Sequence, residues 1–121
     1  MRVLICDDDP DFLSFGEWAV KKVDPSIEVV ATSTRVAALE ALLGEEGFDL
    51  VLLDAYIPCA EVTLANLVEA AASHNTKVVK VVSAEIAYAE AATPSFISVI
   101  DKGDFRAVLP KIIEEARKCR P

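Results

Sequence analysis

Five short runs rich in β-branched and apolar residues recur along the chain, and segments with a different periodicity separate them. Runs of this length and composition predict buried β-strands. They span residues 2–6, 27–32, 49–54, 77–83 and 96–101. Between them, apolar residues recur at helical spacing, which predicts amphipathic helices. The whole pattern predicts a strand followed by a helix, five times over.

Each predicted helix has one apolar face to bury. These faces comprise Phe12, Phe15, Ala19, Val20 and Val23; Val36, Leu39 and Leu43; Leu64, Leu67, Val68 and Ala71; a short Ala-rich stretch from about Glu85 to Ala92; and Phe105, Val108, Leu109, Ile112, Ile113 and Ala116. Pro110 conflicts with the fifth helix, because an interior proline removes a hydrogen bond and costs about 3 kcal/mol. We expect a kink there, or a loose turn from Asp104 and a helix that begins near Pro110.

Alternating strands and helices predict an α/β fold in which a parallel sheet is covered by helices on both faces. Parallel neighbours need crossover connections, and those crossovers are right-handed. Strands that are apolar throughout fit a sheet buried on both sides. For five strands we predict a doubly wound (βα)5 sheet of order 2-1-3-4-5. Ligands then bind beyond the carboxyl ends of the strands, where strands 1 and 3 meet.

Composition limits the class of protein and its partners. The 121 residues are 53% hydrophobic, which suits a single domain over residues 1–121. Twenty acidic residues against twelve basic ones give a formal charge of −8, which disfavours direct binding of nucleic acid or of an anionic membrane. No apolar run reaches the roughly 20 residues of a membrane span, and the start resembles no secretory signal. We expect a cytoplasmic protein.

The three cysteines, Cys6, Cys59 and Cys119, are widely spaced and form no C-x-x-C pair. A disulfide framework or a zinc site is therefore not expected. We expect Cys6 to pack as a small buried hydrophobic residue and Cys119 to lie on a frayed terminus.

Acidic residues follow two of the predicted strands. Asp7 and Asp8 close the first strand and Asp54 closes the third, and those ends meet at one crevice. Capping of the first helix accounts for Asp9 and Asp11, whereas the alternative for Asp7 and Asp8 is a solvated turn. Each pair of adjacent carboxylates repels by about 1 kcal/mol or more, so a cation should compensate. Oxygen ligands suit Mg²⁺, with Mn²⁺ as a substitute.

The fourth and fifth predicted strands end near Ser83 and Lys102, a hydroxyl donor and a cation. Phosphoryl transfer needs a nucleophile, a metal on the phosphoryl oxygens, and donors or cations for the remaining charge. Taken singly, Ser83 could cap the fourth helix and Lys102 could be a solvated loop lysine. Together with the three aspartates they form a set at one edge of the sheet, which indicates Mg²⁺-dependent phosphoryl transfer.

Several motifs occur in order along nearly the whole chain: "VLICDDDP", "AALEALLGEEGFDLVLLD", "DAYIP", "VVSA" and "IDK". In this order they resemble the acidic start, second helix, phosphoacceptor strand, hydroxyl and lysine of response regulator receiver domains. "DAYIP" also keeps a proline four residues after the aspartate. The resemblance implies the flavodoxin/CheY-like fold and a phosphoprotein of two-component signal transduction that is not itself an enzyme.

The resemblance also implies the chemistry of the site. Asp54 would be the nucleophile that takes a phosphoryl group from the phosphohistidine of a sensor histidine kinase or a phosphotransfer protein. Lys102 would pair with Asp54 or with the phosphoryl group, and Ser83 would turn toward the phosphoryl oxygen. His74 is not a donor to Asp54 if it lies in the loop before the fourth strand, at the opposite edge of the sheet.

The metal and the partners follow from the same resemblance. Asp8 and Asp54 would ligate Mg²⁺ directly, together with the backbone carbonyl of Tyr56, and Asp7 would act through water. Phosphorylation would bias a two-state element and so switch the binding of a downstream protein or output domain. A weak homodimer is also implied by the resemblance.

The chain departs from the family pattern near the fourth helix and fifth strand. Val99 stands where an aromatic residue is usual, and strand alternation would aim Phe96 at the opposite face. Val62 replaces a common glycine, so a positive φ is not expected there. Gly103 replaces a common proline, which removes the reason to expect a cis peptide. The segment 83–102 is slightly short, which predicts a trimmed fourth helix or loop.

Two other functions compete with the phosphoacceptor. The first is a pseudo-receiver, a protein-interaction module with the fold but no phosphorylation-dependent output, which Val99 and the altered loops favour. Retention of all five site residues weighs against it. The second is a flavodoxin-like cofactor binder, which is disfavoured because none of the four glycines forms a G-x-G motif.

Overall fold

The structure is a computed structural model, and it describes residues 1–118. Cys119, expected on a frayed terminus, lies outside the described residues. Strands and helices alternate five times, as predicted. In chain order the elements are β1 (Arg2–Cys6), α1 (Pro10–Val23), β2 (Glu28–Thr32), α2 (Arg35–Leu42), β3 (Leu50–Asp54), α3 (Leu64–Ser73), β4 (Val78–Ser83), α4 (Ile86–Ala92), β5 (Ser98–Asp101) and α5 (Phe105–Lys118).

The strands form one parallel sheet of order β2-β1-β3-β4-β5, so the predicted doubly wound order is confirmed. In the register, Leu4 of β1 lies opposite Val30 of β2 and Val51 of β3. Alternate residues of the central strands point to opposite faces and enter two separate cores. One core packs α1 and α5 against the sheet, and the other packs α2, α3 and α4 against the opposite face. This two-sided burial explains why the central strands are apolar throughout.

The fifth strand is shorter than predicted. It begins at Ser98, two residues later than the expected start at Phe96. Phe96 lies instead in a turn in which the Ile97 N–H donates to the Pro94 carbonyl at 3.0 Å, and its side chain is 78% exposed. The prediction that strand alternation sets the direction of Phe96 is therefore wrong, because an apolar residue in a turn was counted as strand.

The fifth helix also begins earlier than one of our predictions. A single 3₁₀ turn (Lys102–Asp104) leads directly into α5 at Phe105, and Pro110 lies inside the helix. A start near Pro110 is therefore wrong. Pro110 and Arg106 are both exposed, so water can reach the Arg106 carbonyl that the proline leaves without a helical donor. Burial of Phe105, Leu109 and the rest of the apolar face outweighs the lost hydrogen bond.

Local signals at the other helices are confirmed. Asp9 caps α1 by accepting the Asp11 N–H, with Pro10 at the first helical position. The fourth helix is trimmed to seven residues, buries only Ala89, and has no side-chain cap. In residues 1–118 there is no cis peptide bond, and the one non-glycine residue with positive φ is Asn75. As predicted, Val62 does not have a positive φ, and no cis peptide bond occurs at Gly103.

None of the helices in the described part of the chain combines the length and the apolar character needed to cross a membrane.

Candidate functional site

The third strand holds Asp54 at the centre of the carboxyl edge of the sheet. All five residues of β3 are buried, and β1 and β4 flank it on either side. The next residue, Ala55, donates its N–H to the Val82 carbonyl at 3.2 Å, which extends the pairing past the carboxylate. Asp54 is 8% exposed, and its Oδ1 accepts the Tyr56 N–H at 3.4 Å. The strand therefore presents a nearly buried carboxylate in a fixed position.

The first strand brings two more carboxylates to the same place. Asp7 is 1% exposed, its N–H donates to the Thr32 carbonyl at 3.1 Å, and its Oδ1 accepts the Asp9 N–H at 2.9 Å. Asp8 is exposed. Oxygen atoms of Asp7, Asp8 and Asp54, one from each, all lie within 4.8 Å of one another. The predicted convergence of the three aspartates is present in the structure.

Lys102 reaches this cluster from the end of β5. Its Nζ lies 2.8 Å from Asp7 Oδ2 and 3.9 Å from Asp54 Oδ2, so its nearer partner is Asp7 and the expected pair with Asp54 is the longer one. The ammonium also lies 4.6 Å from the centre of the Phe12 ring, a cation–π contact. Burial alone would lower the pKa of Lys102, but the carboxylates of Asp7 and Asp54 outweigh it and raise that pKa.

Lys102 supplies one positive charge beside three carboxylates, and the pKa of Asp54 is raised. Burial first, and then the charge of Asp7, raise the pKa of Asp54 to about 6. Lys102 and the Tyr56 N–H act in the opposite direction, while Asp8 adds to the rise. The site has a surplus of negative charge that a bound cation would relieve.

The donor set fits a hard divalent cation. Three carboxylates offer oxygen atoms close together, one of them exposed and so able to share a metal with water. Mg²⁺ prefers oxygen ligands and retains several waters, which suits a cluster open on the Asp8 side. Tyr56, whose carbonyl is the expected fourth protein ligand, has its backbone beside the cluster through its hydrogen bond to Asp54. The division into direct and water-mediated ligands stays a prediction.

The hydroxyl of Ser83 lines the same cavity, but its hydrogen bonds go to the backbone of Glu85. Ser83 is 4% exposed at the end of β4, and its Oγ accepts the Glu85 N–H at 2.9 Å and donates to the Glu85 carbonyl at 3.2 Å. Glu85 is itself the N-cap residue of α4, so the interpretation of Ser83 as that N-cap is wrong. To donate to a phosphoryl oxygen, the hydroxyl would have to release the Glu85 carbonyl.

A cavity of about 540 Å³ opens over these side chains. It is lined by Asp54, Tyr56, Ser83, Ala84, Glu85, Tyr88 and Lys102. The rings of Tyr56 and Tyr88 meet edge to face across its mouth, with centroids 5.7 Å apart, and both side chains are more than half exposed. The cavity thus has a charged floor and an aromatic rim, and one side of that rim belongs to the short helix α4.

Three residues that contact the site or the loop that follows Asp54 were missed in the sequence analysis. Phe12 carries the cation–π contact to Lys102, and Tyr88 completes the rim. Arg35 lies nearly buried against the loop that follows Asp54. Tyr88 could have been noticed as the one aromatic residue in the fourth helix. Neither Phe12 nor Arg35 gives a local signal, because each makes its contact across a long sequence separation.

The remaining candidates lie apart from the chemistry. His74 caps the end of α3, with Nδ1 2.9 Å from the Ala70 carbonyl, and it precedes β4 at the opposite edge of the sheet, as expected. Cys6 is buried, and burial raises its pKa to about 11, so it packs as a neutral thiol. Cys6 and Cys59 are both free. Val99 packs partly buried against the core formed by α2, α3 and α4.

Comparison with known proteins agrees on the fold. No protein-family model matches the chain, and the curated proteins contain no significant match to it. Among solved structures, a response regulator receiver protein from Sinorhizobium medicae has a TM-score of 0.78 at 18% identity, covering 99% of this chain and 97% of its own. A sensor protein from a Polaromonas species has a TM-score of 0.76 at 20% identity, covering 98% of each chain.

A response regulator receiver domain protein from Clostridium thermocellum is similar at 16% identity, with a TM-score of 0.72 over 97% of this chain and 95% of its own. These three matches each cover at least 97% of this chain and at least 95% of the other. The fold predicted from the sequence is confirmed: this chain has the α/β fold of response regulator receiver domains.

Proposed function

We propose that this chain is a phosphoacceptor receiver domain that takes a phosphoryl group onto Asp54 in a Mg²⁺-dependent reaction and thereby switches the binding of a partner. The observation that carries the proposal is the Asp54 carboxylate, fixed at the end of a buried strand, with two further aspartates within 4.8 Å and the Lys102 ammonium beside them. Nothing at the opposite edge of the sheet offers the same set within residues 1–118.

The chemistry assigns a task to each residue. A carboxylate oxygen of Asp54 would form the new P–O bond while the P–N bond of a partner's phosphohistidine breaks, its electron pair remaining on the imidazole. With its pKa raised to about 6, Asp54 is mostly ionised, and therefore nucleophilic, near pH 7.5. Asp8 and Asp54, with Asp7 acting through water, would hold Mg²⁺, which supplies positive charge for the phosphoryl oxygens. Lys102 would provide a second positive charge.

Ser83 and α4 would carry the switch. A phosphoryl group on Asp54 offers new acceptor oxygens in the cavity that Ser83 lines. Donating to one of them would break the hydrogen bond that the Ser83 hydroxyl gives to the carbonyl of Glu85, the N-cap of α4. We propose that this exchange displaces α4 and alters the surface that a downstream protein binds, with a histidine kinase or phosphotransfer protein as the donor.

A pseudo-receiver is the second candidate, and one observation favours it. Val99 packs against the core as an aliphatic residue, so β5 has no aromatic ring at this position to follow the Ser83 hydroxyl. Under this alternative the acidic site would be retained, but partner binding alone would set the state of the domain.

The experiment is the intact mass of the protein after incubation with acetyl phosphate, in Mg²⁺ or in EDTA. We expect one labile phosphoryl group in Mg²⁺, none in EDTA, and none in Asp54→Asn. Asp11→Asn is the matched control, because Asp11 is an exposed carboxylate at the same edge of the sheet and should leave the adduct unchanged. A wild-type protein that binds Mg²⁺ yet forms no adduct, with acetyl phosphate or with a phosphohistidine donor, would favour the pseudo-receiver.

A further inference from the structure

Arg35 is a charged residue in an unfavourable position. It is 9% exposed, and among residues 1–118 no carboxylate lies within ion-pair distance of its guanidinium. Its Nε is buried without a hydrogen-bond partner. It is also the first residue of α2, behind the N-cap Thr34, where the helix dipole disfavours a cation. Burial of a charge that has no ion-pair partner costs free energy, and what offsets that cost at Arg35 is a pair of hydrogen bonds to backbone carbonyls.

The two hydrogen bonds of Arg35 both go to the loop between β3 and α3. Nη2 donates to the Ala55 carbonyl at 3.2 Å, and Nη1 donates to the Val62 carbonyl at 3.4 Å. Ala55 directly follows the phosphoacceptor, and Val62 directly precedes Thr63, the N-cap of α3. One side chain therefore joins both ends of the loop to α2.

The Ala55 carbonyl belongs to the same planar peptide unit as the Tyr56 N–H. In a trans peptide these two groups point in opposite directions, and the described residues contain no cis bond. Arg35 donates to the oxygen of the Ala55–Tyr56 peptide. On the other side of that peptide, the Tyr56 N–H donates to Asp54 Oδ1 at 3.4 Å. With Oδ1 engaged in this way, Oδ2 is the oxygen that lies toward Lys102.

We infer that Arg35 is a positioning residue that acts on Asp54 through the Ala55–Tyr56 peptide. Its cationic donor on the Ala55 carbonyl polarises the peptide, and hydrogen bonds in such a chain strengthen one another. The orientation of the Asp54 carboxylate, and of the Tyr56 backbone expected at the metal, then depends on Arg35. The expected effect of Arg35 on metal binding and phosphorylation rests on the proposed function. The hydrogen bonds that link Arg35 to Asp54 do not depend on that function.

The test replaces Arg35 by Met, which removes the charge and both donors. The matched control is Arg117→Met, which makes the same change of net charge at an exposed position, beside Asp24 near the end of α5. Three quantities are compared with the wild type: the Kd for Mg²⁺ by isothermal titration calorimetry, the ¹H–¹⁵N resonance of the Tyr56 amide without metal, and the initial rate of phosphorylation by acetyl phosphate at saturating Mg²⁺.

We expect Arg35→Met to raise the Kd for Mg²⁺ by about 10-fold, the effect typical of losing a residue that orients a metal ligand. The Tyr56 amide proton should shift upfield as its hydrogen bond to Asp54 weakens, and phosphorylation should slow. Arg117→Met should leave all three at their wild-type values. A folded Arg35→Met protein with wild-type Mg²⁺ affinity and an unmoved Tyr56 resonance would overturn the inference. Arg35 would then only hold the loop between β3 and α3 against α2.

Arg35→Lys covers the case in which the Met variant does not fold. Lysine keeps the charge but has no planar fork to reach two carbonyls at once, so we expect a smaller shift of Tyr56 in the same direction and a Kd between those of wild type and Met. Wild-type values in Arg35→Lys, with the Met variant unfolded, would count against the inference. If the wild type neither binds Mg²⁺ nor accepts a phosphoryl group, the proposed function fails, while the metal-free Tyr56 resonance still decides the role of Arg35.

Discussion

Arg2 at the amino edge of the sheet and Lys102 at the carboxyl edge have side chains that are equally exposed, at 23%. The Arg2 guanidinium pairs with Glu28 and Glu46, which are mostly exposed, and the Arg2 backbone N–H donates to the Asp49 carboxylate. Lys102 pairs instead with Asp7 and Asp54, which are almost fully buried. The acidic partners of Arg2 can be hydrated, whereas those of Lys102 depend on the protein for their compensation.

Cavity size does not separate the two edges. A groove of about 500 Å³ lies at the amino edge beside Arg2, Phe48 and His74, close in volume to the 540 Å³ cavity over Asp54. The difference lies in the charge balance, because among the described residues the one cluster of three side chains that could ligate a metal is at the carboxyl edge. Unrelieved charge, and not concavity, marks the edge where a ligand is expected.

The largest effect expected from this contrast is on stability. Lys102→Met should lower the free energy of unfolding by about 2–4 kcal/mol, because it leaves the buried Asp7 carboxylate without a cation. Arg2→Met should cost only about 1 kcal/mol, because water can hydrate the carboxylates it leaves behind. Urea unfolding in EDTA measures both losses.

Added Mg²⁺ sharpens this test, since a cation at the acidic cluster should restore part of the stability lost in Lys102→Met and none of that lost in Arg2→Met. Equal losses for the two variants in EDTA would contradict the contrast between the edges.

The next effect is the contribution of Asp54 to stability, which is unfavourable when the carboxylate is ionised. Its pKa in the folded state is about 6, above the unfolded value of 3.8, so the folded state binds this proton more tightly. Below about pH 4 the group is neutral in both states, and its ionisation destabilises the fold progressively as the pH rises through 6. Asp54→Asn should therefore stabilise the metal-free protein by about 1–3 kcal/mol at pH 7.5, and the gain should shrink near pH 4.

Asp24, near the opposite edge, provides a control of opposite sign. Hydrogen bonds from Ser26, reinforced by Arg117, lower the pKa of Asp24, so its ionised form supports the fold above its unfolded pKa. Asp24→Asn should be destabilising at pH 7.5, with the loss disappearing as the pH falls through the lowered pKa. Thermal unfolding of both variants from pH 7.5 down to below the lowered pKa of Asp24 checks the two signs, and a destabilised Asp54→Asn protein at pH 7.5 would contradict the pKa assigned to Asp54.

Much of the fold was predictable because it rests on local periodicity. Apolar runs predicted β1 to β4 to within one residue, and strand order then placed Asp7 and Asp54 at one crevice. The failures occurred where neighbouring patterns overlap. Phe96 extended an apolar run into a turn, and Pro110 gave a breaker signal that the burial of the α5 face overrides.

The sequence predicted which residues form the site better than it predicted the contacts that they make there. The partner preferred by Lys102 depends on how far its side chain reaches from the end of β5 toward Asp7 at the end of β1, since β3 and β4 lie between those two strands. The direction of the Ser83 hydroxyl depends on the backbone of the loop that follows it. Arg35 appears in the sequence as an ordinary helical arginine, and only the packing of a loop 20 residues away buries it. No periodicity encodes such contacts, because tertiary geometry creates them.

The smallest expected effect concerns α4, which forms one side of the carboxyl-edge cavity. The fourth helix buries only Ala89 and has no side-chain cap, so we expect the edge-to-face contact of Tyr88 with Tyr56 to add measurably to its packing against β4 and β5. Such a contact is worth about 0.5–1.5 kcal/mol. Tyr88→Ala should therefore speed amide hydrogen exchange in residues 86–92 by roughly 2- to 10-fold, as hydrogen-exchange mass spectrometry would measure.

Tyr88→Phe keeps the ring and should exchange like the wild type. The third helix is an internal reference, because it has a capping box between Thr63 and Asn66 and five buried residues, and its exchange should be the same in all variants. Unchanged exchange of α4 in Tyr88→Ala would mean that Ala89 and the hydrogen bond from Thr93 to its carbonyl suffice to hold the helix. The two edges of the sheet would then differ in charge alone, and a switch at the carboxyl edge would have to move some element other than α4.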